Sequence, residues 1–114
     1  MEIKILEDKI TLEELKLYAE DIFGNYVKAV VDIEKELVVI GGELHSDEES
    51  ILLQDGSKQS DLWGINIYPD KSRSEWIEFD SVINLRPSMK NYSRNVEDDN
   101  IKSKIIEIIN NFIN

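Results

Sequence analysis

Cysteine is absent, which excludes a disulfide framework, a thiolate zinc ribbon and a thiol nucleophile. No apolar run approaches the roughly 20 residues of a membrane-spanning helix. The opening Met1-Glu2-Ile3-Lys4-Ile5-Leu6 lacks the basic-then-apolar layout of a secretory signal. Phosphate loops of the Gly-x-Gly-x-x-Gly or Walker kind are missing, and so is a Gly-x-Ser-x-Gly nucleophile elbow. Clusters of Lys and Arg are missing too. The 13 basic residues face 24 acidic ones, giving a net charge of −11 spread along the whole chain. That balance opposes attraction to nucleic acid or anionic membranes. These absences predict a soluble cytoplasmic protein with no cofactor, and with neither nucleic acid nor membrane as partner. The acidity serves solubility, or else complements a partner with a basic surface.

What is present suits one folded domain over residues 1–114, with 41% apolar residues. Residues Glu2 to Leu6 alternate as a short strand. Thr11 and Glu14 have the spacing of a capping box, and Leu12, Leu15, Ala19, Ile22 and Phe23 form a helical stripe that Gly24 ends. Val27 to Glu34 and Leu37 to Gly41 predict a hairpin, although Lys35-Glu36 is a poor two-residue turn. Ser46 with Glu49 predicts the start of a second helix, which Gly56 closes. Leu62 to Tyr68 reads as a strand ended by Pro69. Trp76 to Arg86 alternates as one long bent strand, or as two short ones with a turn at Asp80-Ser81; Ile77, Phe79, Ile83 and Leu85 share its apolar side. Ser88 to Val96 is a polar loop, and Asp98 or Asp99 caps a last helix with Ile101, Ile105, Ile108 and Phe112 on its stripe. The predicted class is α+β, with a mainly antiparallel sheet of five or six strands and three helices in the order β-α-β-β-α-β-β-α. The first six elements follow the order of a ferredoxin-like core, and the last two extend it. Right-handed crossovers on that core put both early helices on one sheet face.

Few residues point at chemistry. The segment Gly41-Gly42-Glu43-Leu44-His45-Ser46-Asp47-Glu48-Glu49 holds the only histidine, just after an apolar run. His45 braces this corner, contacts a ligand, or acts as a general base oriented by Glu43 or Asp80. Glu43, His45 and Asp47 alternate, so an extended chain would aim all three at one metal ion, although one histidine with scattered acids is a poor metal set. The run Asp47-Glu48-Glu49 has a simpler role, since carboxylates in a first helical turn are stabilised by the helix dipole. The second place is the late polar block. Two of the three arginines, Arg86 and Arg94, bracket a loop that with Asn84, Ser88 and Ser93 offers donors to an anion. Alternatively Arg86 pairs with Glu78 or Asp80, and Arg94 with Glu97 or Asp98.

The blocks 41–49, 55–69 (Asp-Gly-Ser-Lys-Gln-Ser-Asp-Leu-Trp-Gly-Ile-Asn-Ile-Tyr-Pro), 77–88 and 91–98 resemble a family of short prokaryotic proteins catalogued only as a domain of unknown function. The resemblance covers nearly the whole chain and implies no activity, cofactor or catalytic residue. Asp99 stands where the resemblance leads one to expect proline, and the Asp98 cap does not need it. Three functions follow as expectations. The first is a binding module for a small polar or anionic ligand, using the 43–45 corner and the 86–94 loop. The second is an acidic interaction domain or homodimer, and the third a hydrolase with His45 as base.

Overall fold

Thr11 starts the first helix as its spacing predicts. Its hydroxyl accepts the Glu14 N–H at 3.1 Å, and α1 spans Leu12–Ile22. Gly24, at φ +97°, closes it by donating its N–H to the Ala19 carbonyl at 2.7 Å. The structure, a computed structural model, describes all residues from Met1 to Asn114. Around α1 the chain forms β1 (Lys4–Ile5), β2 (Val27–Asp32), β3 (Leu37–Ile40), α2 (His45–Gln54), β4 (Leu62–Ile67), β5 (Ile77–Glu78) and α3 (Asp99–Phe112). This is the α+β class and the element order that the sequence predicts. No helix is long and apolar enough to cross a membrane.

The sheet order is β1-β3-β2-β4-β5, antiparallel at every pairing. Asp32 shapes the β2–β3 loop, which uses more residues than Lys35-Glu36. One carboxylate oxygen accepts the N–H groups of Glu34 and Lys35, both at 2.9 Å, and the other accepts the Ser57 hydroxyl at 2.6 Å. Glu36 takes the left-handed conformation, φ 56°, that completes the reversal.

The strand order corrects the ferredoxin-like expectation. The first crossover, β1-α1-β2, straddles β3 as expected. The second, β3-α2-β4, steps across the sheet in the same direction rather than back past β1. Because β1 and β3 are antiparallel, two right-handed crossovers stepping the same way place their helices on opposite faces. Accordingly α1 and α3 pack Leu15, Ala19, Ile105 and Ile108 against Val27, Ala29, Val31, Trp63 and Ile65. On the other face Leu52 of α2 meets Val30, Val39 and Leu62. With both faces covered, every residue of β4 is buried.

The segment 76–86 is a second correction. Only Ile77 and Glu78 pair with β4. The chain then leaves the sheet, and Ser81 caps a 3-10 turn, Val82–Asn84. The predicted apolar side does not turn inward as a unit: Leu85 is 48% exposed, while Trp76 and Asn84 are buried. The cause is visible along β4. The Asn84 side chain accepts the Gly64 N–H at 2.8 Å and donates to the Gly64 carbonyl at 2.9 Å. Arg86 Nη2 donates to the Leu62 carbonyl. Two side chains thus cover the open edge of β4 where a further strand would lie.

Candidate functional site

Helix α2 begins two residues earlier than the expected Ser46 cap implies. Leu44 occupies the cap and offers no side-chain bond, and His45 is the first helical residue. The expected Ser46–Glu49 box does not form. The acid that turns back is Glu48, whose Oε2 accepts the Gly42 N–H at 3.1 Å. The N–H groups of His45 and Ser46 have no acceptor within the chain, so the positive end of the helix dipole stays open.

The buried face of α2 is His45, Glu48 and Leu52, three and four residues apart. Two glycines make room for its polar members. A Cβ on Gly42 would stand 2.7 Å from Glu48 Cγ, and one on Gly64 would stand 2.6 Å from Ser81 Oγ and 3.2 Å from His45 Cδ2. The His45 ring therefore lies against β4. Its Nε2 is 2.8 Å from the Ile65 carbonyl. A carbonyl only accepts, so Nε2 carries the proton. Nδ1, the ring vertex opposite the Cδ2–Nε2 bond, faces away from the strand and meets no partner in the chain.

Electrostatics fix the protonation of both groups. Burial lowers the His45 pKa below its ordinary 6.5; the Ile65 carbonyl and Asp80 oppose this, while Lys28 and Arg94 reinforce it. At neutral pH Nδ1 is thus a bare lone pair. Burial pushes the Glu48 carboxyl well above its ordinary 4.5, against the Gly42 hydrogen bond and the Lys28 charge, with Asp47 adding to the rise. Its second oxygen, Oε1, is buried without a partner.

A cleft of about 210 Å³ opens above this helix start. Its polar lining is Lys28, His45, Ser46, Ser81 and Arg94, and Leu44 and Val82 form an exposed apolar rim. Arg94 Nε donates to Asp80 at 2.6 Å. The Arg94 carbonyl accepts from Ser81 N and Asn84 Nδ2, at 3.1 and 3.0 Å, which fixes the 94 backbone to the cleft wall. The volume falls below the roughly 300–1,000 Å³ typical of sites for drug-sized ligands, so the cleft suits a small one.

Of the residues singled out in the sequence, His45 and Arg94 line this one cleft, and Asp80 holds Arg94. Glu43 and Asp47 are exposed and do not line it. No group of three or more His, Asp or Glu side chains is arranged to hold a metal ion. The helix starts at His45, so the alternation expected of Glu43, His45 and Asp47 is broken. Arg86 lies elsewhere: its guanidinium stacks 4.5 Å from the Trp63 ring, and burial lowers its pKa while Glu49 and Asp61 oppose the change. Asn84 is buried against Gly64. Ser88 is exposed, and the Ser93 hydroxyl donates to Glu97 at 2.9 Å. Arg94 therefore pairs with Asp80 rather than Glu97 or Asp98, and Arg86 with a backbone carbonyl rather than a carboxylate.

Lys28, Ser81 and Gly64 were not singled out in the sequence. A lone glycine inside a strand signals close approach by another group, and a lysine inside a β-branched run signals a cationic position on one sheet face. A larger hollow, about 420 Å³, lies along Lys4–Ile10 and Glu14, where the charged side chains of both signs are all exposed. Another of about 300 Å³ lies beside Trp63, but its acids are engaged: Glu97 accepts from Tyr92 N and Ser93, and Asp98 caps α3.

A five-stranded antiparallel sheet covered on both faces, with one small basic cleft at a helix start, defines a small α+β protein. The chain belongs to the family described as Protein of unknown function (DUF5674), which matches residues 4–112. No curated protein and no solved structure matches the chain.

Proposed function

We propose that this protein is a binding module for a small anionic ligand, held in the cleft between the start of α2 and the Ser81–Arg94 wall. The observation that carries the reading is the cleft's lining. In a chain with net charge −11, it gathers Lys28, Arg94 and two uncapped N–H groups around His45. Each element favours negative charge. The helix start supplies oriented amides, the guanidinium a planar fork, Lys28 a point charge, and Ser46 and Ser81 hydroxyl donors. Lys28 is half-buried, so its charge is less screened than that of the exposed Arg94 side chain.

The test is a titration of the ¹⁵N-labelled protein with sulfate, phosphate, acetate and glycolate, followed by amide shifts. Saturable shifts at His45, Ser46, Ser81 and Arg94, weakened at least about fivefold in Arg94→Ala and Lys28→Ala, support the reading. Shifts that do not saturate, or that scatter over surface lysines, overturn it.

A further inference from the structure

Resting on that reading, we infer that the cleft selects oxyanions carrying their own O–H proton, such as hydrogen phosphate or a hydroxy acid, over those without one. The geometry of His45 carries the inference. Its ring is buried, with 7% exposure. Its Nε2 proton is committed to the Ile65 carbonyl at 2.8 Å, and Gly64 lets the Cδ2–Nε2 edge of the ring lie against β4. Nδ1 therefore faces away from the strand as an acceptor with no partner in the chain, beside the donors of Ser46, Ser81, Arg94 and Lys28.

Lys28, Arg94 and the helix amides only donate, and the serine hydroxyls can do either; Nδ1 only accepts. An anion seated against the donors brings its oxygens toward Nδ1. If one oxygen bears a proton, it donates to Nδ1 and every group is satisfied. If none does, two lone pairs meet in a partly buried place, and one stays unpaired. Before an anion binds, the ring is held neutral, because burial and the charges of Lys28 and Arg94 oppose a second proton more strongly than the Ile65 carbonyl and Asp80 favour it. Glu48, on the same helix face, is bonded to Gly42 and does not line the cleft.

Charge alone predicts the opposite order. Sulfate is doubly charged throughout the neutral range, whereas inorganic phosphate is a mixture of singly and doubly charged forms, each with at least one O–H. A preference for phosphate over sulfate is thus a signature of the acceptor and not of the positive field. Glycolate and acetate make the same comparison at constant charge, with the hydroxyl present or absent. Comparing phosphate with glycolate tells whether the site suits a tetrahedral anion or a planar carboxylate with an adjacent hydroxyl.

The experiment measures affinities of the full chain for these four anions at pH 7.5 by ¹H–¹⁵N titration. It also follows the ring nitrogens of His45, which give one pair of signals because the chain has a single histidine. The expected result is phosphate tighter than sulfate, and glycolate tighter than acetate, by about tenfold, the penalty of leaving a partly buried acceptor unpaired. The Nδ1 resonance should move on adding phosphate or glycolate and stay with sulfate or acetate. In His45→Leu, provided its amide spectrum is that of a folded chain, both preferences should fall to near unity while binding persists. If that variant does not fold, the wild-type Nδ1 response decides alone. Equal affinities within each pair, or an Nδ1 signal indifferent to all four anions that bind, overturn the selectivity and leave anion binding standing. No saturable binding of any of the four overturns both.

Discussion

Glu48 Oε2 lies 3.1 Å from the amide nitrogen of Gly42, six residues earlier, and the whole carboxyl is sealed beneath the start of α2 with Oε1 unpartnered. This contact anchors the turn into the helix and by itself favours the ionised acid, but burial favours the neutral one and outweighs it. In the unfolded chain Glu48 ionises near its ordinary 4.5; in the fold burial holds it protonated to higher pH. The unfolded state therefore releases this proton first as pH rises. Stability is lost from about 4.5 upward, by up to about 1.4 kcal/mol per pH unit, until the folded group also ionises. Glu48→Gln keeps an acceptor for Gly42 and removes that slope. Urea denaturation at pH 4.5, 6 and 7.5 should show the variant gaining on the wild type with each step. Parallel pH profiles would contradict the assignment.

His45 acts on the opposite limb. Its folded pKa is lowered, so the unfolded chain takes up a proton near 6.5 while the fold resists. Stability from this group is complete above 6.5 and is lost as pH falls through that value toward the folded pKa. In the interval between 4.5 and 6.5 the His45 and Glu48 contributions have opposite signs and offset each other. Glu48→Gln should therefore expose a decline in stability on acidification that the wild type masks. An NMR titration of the imidazole locates the folded midpoint directly, and a midpoint at or above 6.5 would refute the argument.

Gly64 and Gly24 separate two reasons for glycine. Gly24 has φ +97° and open space around a built Cβ, so Gly24→Ala should cost about 1 kcal/mol in backbone strain alone. A Cβ on Gly64 meets both Ser81 Cβ and Oγ at 2.6 Å and His45 Cδ2 at 3.2 Å. Gly64→Ala should cost roughly 2–3 kcal/mol and shift the His45 and Ser81 resonances, because the cleft wall must move. Chemical denaturation with an amide spectrum of each variant distinguishes them. An unperturbed His45 in Gly64→Ala would sink this account.

The same glycines explain what was legible in the sequence. Helices α1 and α3 and the β2–β3 hairpin follow from period, caps and β-branched runs, all local signals. Helix α2 was recognisable, but its inner face was not. Glu48 reads as a first-turn acid stabilised by the helix dipole and His45 as a corner residue ahead of the helix, and they are buried only because Gly42 and Gly64 lack side chains opposite them. The second crossover was misjudged for a related reason: no local pattern tells whether β4 joins β1 or β2. The late segment alternates like a strand, yet Asn84 and Arg86 use side chains to do what a strand's backbone would have done. Of the candidate cleft, His45 and Arg94 were legible as chemistry-bearing types, and Lys28 and Ser81 were not, since only the sheet register brings them near.

Asn84 should be among the costliest polar residues to remove. Its carboxamide makes both bonds to Gly64 and a third to the Arg94 carbonyl, all buried or part-buried. At about 1 kcal/mol per bond, plus the unpaired Gly64 groups left behind, Asn84→Ala should lose about 3 kcal/mol or more. Asn84→Asp keeps the acceptor but turns a carboxylate toward two carbonyls, so it should be no better. Hydrogen exchange of the Gly64 amide should accelerate in both variants. Stability within about 0.5 kcal/mol of the wild type would show that the β4 edge is satisfied by other means.

Asp80→Asn tests the electrostatics of the cleft without touching its lining. Asp80 lies 2.6 Å from Arg94 Nε, and both side chains are about half exposed, so the pair contributes little to stability and its loss should change it by no more than about 0.5 kcal/mol. Its effect on the cleft is larger in proportion, because the carboxylate neutralises the guanidinium that faces an incoming anion. Removing it should tighten sulfate and phosphate about two- to fivefold at low ionic strength, with the gain shrinking as salt rises. The His45 midpoint should fall further, since Asp80 is one of the groups that raise it. The two readouts are independent and both follow from one removed charge. A loss of anion affinity would instead mean that Asp80 is needed to aim Arg94 into the cleft, and a rise in the His45 midpoint would place the carboxylate's influence elsewhere.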